Sequence, residues 1–152
     1  MKTLIIYTST HHGNTKKLGD AMKAHLNADM IEAKDAKTDA LKDYDLVGFG
    51  SGIYGGSFHK DVLEFIDRLP DHVGKKAFVF STSGLGKIKY NNSAVKKLNK
   101  KGFEIVGSFA CKGFNTFGPF KLIGGTAKGR PNSDDLRAAE AFADDIARKF
   151  NV

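Results

Sequence analysis

The chain has 152 residues, 41% of them hydrophobic, and its 24 Lys+Arg against 17 Asp+Glu give a net charge of +7. That length suits one domain, residues 1–152, with room for a real core. No apolar run approaches the roughly 18 residues that a membrane-crossing helix needs, and a single cysteine, Cys111, excludes an internal disulfide framework. The start, Met1-Lys2-Thr3-Leu4, enters a strand pattern without the layout of a signal peptide, so a cytoplasmic protein is expected. The basic balance favours acidic partners or anionic ligands through long-range attraction. Lys96, Lys97, Lys100 and Lys101 share an amphipathic segment and read as a solvated helix face. Lys87, Lys89, Lys112, Lys121, Lys128 and Arg130 fall in predicted loops instead.

The first element is the apolar run Leu4–Tyr7, which ends abruptly in Thr8-Ser-Thr-His-His-Gly-Asn-Thr15. A helical stripe of Leu18, Ala21, Met22 and Leu26 follows. Strand, polar turn and helix start together aim free backbone N–H groups and the positive end of a helix dipole at one point. That point is an anion site, and a hydroxyl-rich loop suits a terminal phosphate monoester. The loop lacks the G-x-x-x-x-G-K-[ST] of nucleotide-hydrolysing proteins and the G-x-G-x-x-G of dinucleotide binders. An ordinary βα turn capped by Asn14 or Thr15 accounts for the same residues without a ligand.

The second strand is Met30–Ala33, and the crossover from Lys34 to Asp43 has the weakest helical pattern. The third strand, Leu46–Phe49, runs into Gly50-Ser-Gly-Ile-Tyr-Gly-Gly56, which reads as a loop. Val62, Phe65, Ile66 and Leu69 form the next stripe, ended by Pro70. The fourth strand, Ala77–Phe80, leads to a predicted loop, Ser81-Thr-Ser-Gly-Leu-Gly86. A helix with Ala94, Val95 and Leu98 stops at Gly102, a good residue just past a helix end. The fifth strand, Ile105–Ala110, precedes the glycine-rich stretch Lys112 to Arg130, which carries Phe114, Phe117 and Phe120 without periodicity. Long aperiodic segments in compact domains are usually functional, although these aromatics also suit a satellite core over the sheet end. Pro131, Ser133, Asp134 and Asp135 then open a helix whose Leu136, Ala139, Phe142, Ala143, Ile146, Ala147 and Phe150 follow the 3.6-residue period.

The five runs are continuous rather than alternating, as strands buried on both faces are. Strands joined by crossovers predict an α/β fold: a doubly wound five-stranded parallel sheet of order 2-1-3-4-5, with helices on both faces. Its ligand belongs outside the carboxyl ends of strands one and three. Cys111, at a strand end, reads as a small buried hydrophobe.

Four stretches occur in order at successive strand and helix ends: Tyr7–Thr15, Asp45-Leu-Val-Gly-Phe-Gly-Ser-Gly-Ile-Tyr54, Phe80-Ser-Thr-Ser-Gly84 and Gly129-Arg-Pro-Asn-Ser-Asp-Asp-Leu136. Together they resemble the flavodoxin family over nearly the whole chain. The resemblance implies a flavodoxin-like fold and bound flavin mononucleotide (FMN). Ser9, Thr10, His11, His12, Gly13, Asn14 and Thr15 would hold its phosphate. Ser51, Gly52, Ile53, Tyr54, Gly55 and Gly56 would line one side of the isoalloxazine, with Tyr54 the stacking candidate. Ser81, Thr82, Ser83 and Gly84 would approach its pyrimidine edge through backbone groups. The family also has a peptide beside the flavin N5 that can rotate, and Gly52, Gly55 or Gly56 could permit that here. The sequence departs from the family pattern in two ways. Its first loop is one residue longer than the shortest in the family, with His11-His12 in the added region. Typical electron-carrying members are acidic, whereas this chain is basic.

The implied function is a low-potential one-electron carrier, its FMN shuttling between semiquinone and hydroquinone, that serves redox partner proteins. The charge points to acidic ones. A basic surround stabilises the anionic hydroquinone and so implies a less negative couple than in acidic relatives. The family also contains FMN enzymes, among them NAD(P)H–quinone reductases and protoporphyrinogen-oxidase-like proteins. For those the stretch 112–130 would shape a substrate pocket. No acid–base pair or nucleophile stands out, which favours a carrier with no catalytic residues and no metal, acting as a monomer. A phosphoacceptor receiver of the same topology needs clustered acids where Tyr7-Thr8-Ser9 and Gly50-Ser51-Gly52 stand. Nucleic-acid binding has only the net charge in its favour.

Overall fold

Strands and helices alternate along the chain in the computed structural model, which describes residues 1–10, 12–72, 74–114, 125 and 127–150. They are β1 (Thr3–Thr8), α1 (Asn14–Leu26), β2 (Ala28–Glu32), β3 (Leu46–Tyr54), β4 (Ser57–Phe58), α2 (Lys60–Arg68), β5 (Lys76–Ser83), α3 (Asn92–Lys100), β6 (Glu104–Lys112) and α4 (Ser133–Phe150). Short 3-10 helices occupy Thr38–Asp43 and Ile88–Asn91. The sheet order is β2-β1-β3-β5-β6, all parallel, with β4 paired antiparallel to β3. Setting aside the two-residue β4, this is the expected 2-1-3-4-5 order.

Each central strand divides its side chains between two cores, because alternate residues point to opposite faces. Leu4, Ile6, Val47, Phe49, Ala77 and Val79 pack with Val62, Phe65 and Ile66 of α2 and Ala94 and Leu98 of α3. Ile5, Tyr7, Leu46, Phe78 and Phe80 pack with Leu18, Met22 and Leu26 of α1 and Ala139, Ala143 and Ile146 of α4. Full burial of one such large side chain contributes about 1.5–3 kcal/mol. Every residue of β1 is buried, as its uninterrupted apolar run implies. The edge strands β2 and β6 are half-exposed along most of their length, because each has one neighbour rather than two. The weak crossover after β2 is the 3-10 helix Thr38–Asp43, which buries Leu41.

Two predicted loops are in fact strand. β3 continues through Gly50, Ser51, Gly52 and Ile53 to Tyr54, and β5 continues through Ser81, Thr82 and Ser83. The glycines of β3 serve packing rather than looseness. Gly48 pairs with Phe78 and Gly50 with Phe80 across the ladder. A Cβ on Gly48 would lie 2.3 Å from the Phe78 ring, and one on Gly50 would lie 2.2 Å from the Phe80 ring. The rings of β5 lie over bare backbone of β3, and this lets two phenylalanines sit side by side at 6.1 Å in the α1/α4 core. After Tyr54 the chain reverses through Gly55 (φ 58°) and Gly56 (φ 80°) into β4. Two central residues with positive φ suit the tight hairpin turn that matches strand twist.

The basic face of α3 is solvated, as expected. Lys97 Nζ lies 2.8 Å from Asp67 Oδ1, and Lys101 Nζ donates to the Asp67 carbonyl at 3.1 Å. Such exposed contacts add little stability. Among the described residues no helix is long and apolar enough to cross a membrane.

Candidate functional site

The parallel pairing brings the carboxyl ends of β1, β3, β5 and β6 to one side. A cleft opens there, lined by Thr10, Asn14, Thr15, Gly52, Ile53, Tyr54, Thr82, Ser83, Gly113 and Phe114. It lies at the β1/β3 crossover reversal, where open α/β sheets bind ligands.

The floor is the loop after β1 and the start of α1. Gly13 precedes the helix in the left-handed conformation (φ 68°), and no side chain caps from that position. Nothing lies within 4 Å of where a Gly13 Cβ would stand, so the loop surface is open at that point. Ser9 supports the turn from outside, its Oγ accepting from the Lys16 N–H at 3.2 Å. The first N–H groups of a helix have no intrahelical acceptor and carry the positive end of its dipole. Asn14 Nδ2 donates to the Phe114 carbonyl at 2.9 Å, while Asn14 Oδ1 is buried with no hydrogen-bond partner. Thr15 Oγ1 and Thr82 Oγ1 are 3.0 Å apart in a buried hydroxyl pair that ties α1 to β5.

The walls come from β3 and β5. The Tyr54 hydroxyl is hydrogen-bonded to Thr10 Oγ1, and its ring meets His59 edge-on at 5.2 Å. Whichever of the two hydroxyls accepts in this pair still has its own O–H to donate into the cleft. Ser83 is held by its own turn, its Oγ accepting from the Gly86 N–H at 2.7 Å. Phe114 supplies the third side, its ring 4.4 Å from that of His12. The described lining contains no carboxylate, amine or imidazole.

The cleft therefore gathers Thr10, Asn14, Thr15, Gly52, Ile53, Tyr54, Thr82 and Ser83 from the residues expected to bind a cofactor. His12 and Gly13 flank it. Ser51 and Ser81, also expected at the site, are outside the lining, and their hydroxyls are buried. Strand alternation sends Ser51 toward the α2 side, where its buried Oγ accepts from the His59 N–H at 2.8 Å and fixes the start of α2. Ser81 Oγ is buried without a partner and lies outside the lining. Gly55 is an exposed hairpin turn and Gly84 is buried beyond Ser83. His11, Phe117, Phe120 and Lys121 lie outside the described residues.

The profile of the flavodoxin domain matches residues 4–113. The chain belongs to the flavodoxin family. An uncharacterized protein of Methanocaldococcus jannaschii is 45% identical over 150 residues, covering 97% of this chain and 99% of its own. Among solved structures, a flavodoxin from the domain Archaea is similar at a TM-score of 0.76 and 20% identity, covering 100% of both chains. Oxidised flavodoxin 2 of Bacillus cereus is similar at 0.76 and 23% identity, covering 98% of this chain and 99% of its own.

In this flavodoxin-family chain the sequence reading missed Gly113 and the clamp behind Phe114. A Cβ on Gly113 would stand 2.7 Å from Asn14 Nδ2, so a larger residue there would press on the Asn14 side chain at the helix start. The Phe114 N–H donates to the Arg130 carbonyl at 2.7 Å, which joins the two bases of the long segment between them. Arg130 is not a free loop cation: its Nε and Nη2 donate to Asp135 at 2.5 and 2.7 Å. Asp135 also accepts from the Asn132 N–H at 2.8 Å, and the Asp135 N–H donates to Asn132 Oδ1 at 3.0 Å, closing a capping box on α4. The bond to Arg130 holds the Asp135 carboxyl below the usual carboxylate range. The available signal was Asn132 followed three residues on by Asp135 at a helix start. Cys111 is buried, and burial with the nearby Asp135 charge pushes its thiol up to about 12, so it stays protonated and inert. No cluster among the described residues has the makings of a metal site.

Proposed function

We propose that the chain binds FMN in this cleft and serves as a one-electron carrier. The observation that carries the proposal is the convergence of a helix start with no side-chain cap at Gly13, a hydroxyl-rich loop and two glycine- or hydroxyl-bearing strand ends on one cleft. The donor set fits the cofactor. Helix N–H groups with the Thr10 and Thr15 hydroxyls suit a phosphate's acceptor oxygens. The orphaned Asn14 Oδ1 is a buried acceptor awaiting a donor.

Bound FMN supplies reversible one-electron chemistry. The residues of the chain supply the rest. Thr10, Asn14 and Thr15, with the first N–H groups of α1, would hold the phosphate. Gly52, Ile53 and Tyr54 present backbone and an aromatic face along one side of a flat ring system. Thr82 and Ser83 present backbone groups along the other side. Phe114, its N–H tied to the Arg130 carbonyl, would shield the edge nearest the helix start. The described lining carries no carboxylate, amine or imidazole, and its phenol, Tyr54, is hydrogen-bonded to Thr10.

The test is a titration of the purified chain with FMN and, separately, with riboflavin, followed by flavin fluorescence. The expected result is quenching by FMN at much lower concentration than by riboflavin, because riboflavin lacks the phosphate. Equal affinities would refute the phosphate loop, and binding of neither would refute the cofactor.

A further inference from the structure

The large apolar side chains exposed among the described residues are Leu85 and Ile88, at 50% and 55% of their full accessibility. They stand on the segment that leaves the cleft directly after Ser83. Lys87 and Lys89 alternate with them, and both are exposed. Lys112, also exposed, adjoins the same ridge. A Cβ on Gly86 would lie 3.0 Å from the Lys112 backbone nitrogen and Cγ and 3.1 Å from the Cys111 carbonyl carbon, so the two segments touch.

None of these three lysines has an ion-pair partner among the described residues, in contrast to Lys16, Lys76 and Lys97, which pair with Asp20, Glu104 and Asp67. The carboxylates that open α4 are already engaged, Asp134 by Arg137 and Asp135 by Arg130. Across the same end of the sheet, the β2 edge ends in Glu32. The cleft mouth is therefore asymmetric, with unpaired positive charge around an apolar ridge on the β5/β6 side.

The ridge is also rigid. The Gly86 N–H donates to Ser83 Oγ at 2.7 Å, and the Gly113 N–H donates to the Ser83 carbonyl at 2.9 Å. Beyond the ridge, Asn91 is fully buried and its Nδ2 donates to Ser108 Oγ at 2.9 Å and to the Phe109 carbonyl at 3.0 Å. Anchored at both ends, the segment loses little conformational entropy on docking.

We infer that the Leu85/Ile88 ridge, ringed by Lys87, Lys89 and Lys112, is the docking site of an acidic electron-transfer protein. The partner face would carry a small apolar patch rimmed by carboxylates. The inference rests on the carrier reading, which requires a partner to reach the cleft. The apolar pair favours a protein over a nucleic acid or a lipid surface, since the centre of a protein interface is dry and its charges sit at the rim. The lysines steer the encounter and fix its orientation, while the two apolar side chains hold the docked pair.

The test uses a small acidic [2Fe–2S] ferredoxin as probe, titrated into the isotope-labelled chain at low salt and followed by amide chemical shifts. The expected shifts centre on residues 84–90 and 112–113 and weaken as salt is added. Kd should rise about tenfold in K87E/K89E, as expected for reversed rim charges, and severalfold in L85S/I88S at all salt concentrations. FMN uptake should be unchanged in both variants, because none of these side chains lines the cleft. Shifts centred elsewhere, unchanged affinity in K87E/K89E, or equal binding of a basic cytochrome c would overturn the inference. So would tighter binding at the same amides by a single-stranded oligonucleotide or by phosphatidylserine vesicles. If the chain binds the ferredoxin at the ridge but takes up no FMN, the carrier reading fails while the docking site stands.

Discussion

Within β3 and β5 two adjoining stretches behave in opposite ways. Leu46–Phe49 and Ala77–Phe80 are fully packed, with the Phe78 and Phe80 rings pressed onto Gly48 and Gly50. A few residues on, Ser51–Tyr54 and Ser81–Ser83 continue the same ladder but bury hydroxyls, and Ser81 Oγ has no partner. The same backbone pairing supports a dry core and then a polar cleft. The changeover depends on which side chains project from the strands, because the hydrogen-bonded frame is common to both. The first stretch is core and the second carries residues of the proposed binding cleft, so they should respond differently to substitution.

The largest effect is expected from Gly50→Ala. Its Cβ would stand 2.2 Å from the Phe80 ring, so strand or ring must shift. Overpacking of this kind costs about 3 kcal/mol, which lowers Tm by roughly 10 °C for a chain of this size. Thermal unfolding checks this, and G50A/F80L should recover part of the loss. Full stability in G50A would show that the two strands do not meet as described.

Next comes Asp135→Asn, which breaks the clamp behind Phe114. Loss of a charge-assisted pair that is mostly shielded from solvent costs about 1.5–2 kcal/mol, read by urea unfolding. Its pH dependence has a definite sign. The folded-state pKa of Asp135 is lowered, chiefly by the bond to Arg130. Its contribution is therefore present above the ordinary carboxylate pKa and is lost as pH falls through the lower folded value. D135N should have a flatter acid limb below about pH 4.

The buried pair Thr15 and Thr82 calls for a double-mutant cycle. T15V or T82V alone strands one hydroxyl and should cost about 1–2 kcal/mol, whereas T15V/T82V should cost less than the sum. FMN affinity should fall in the double variant even where stability recovers. An effect on stability alone would assign the pair to the core and not to the site.

The smallest effect concerns a site far from the cleft. His72 Nε2 is buried without a partner, its ring 5.2 Å from that of Phe103. Burial, reinforced by the Lys75 charge, lowers its pKa, against an opposing contribution from Asp71. The unfolded chain therefore binds the proton more readily. Stability should be full above about pH 6.5 and fall as pH drops from there through the lower folded value. His72→Phe should remove that slope while leaving FMN affinity unchanged.

The doubly wound order was legible because the apolar runs of β1, β3 and β5 are buried on both faces and leave an unbroken signal. The start of α1 was legible for a similar reason, since hydroxyls and a glycine follow an apolar run at once. The far ends of β3 and β5 read as loops because glycine and serine carry no strand signal. Phe80 explains Gly50, and it comes from elsewhere in the chain. The direction of the Ser51 hydroxyl was not legible for the same reason: it depends on strand alternation, which a loop reading discards. The Arg130–Asp135–Asn132 clamp was written in the sequence as a capping box, but its hold on Phe114 is a tertiary contact that no local spacing reveals.

The most direct test of the central claim is an absorbance spectrum of the FMN-loaded chain during stepwise dithionite reduction. A persistent one-electron-reduced flavin is expected near half reduction. The final couple should be less negative than in acidic relatives, because the chain carries a net charge of +7. A flavin that passes directly to the two-electron-reduced form, with no intermediate band, would contradict the carrier function.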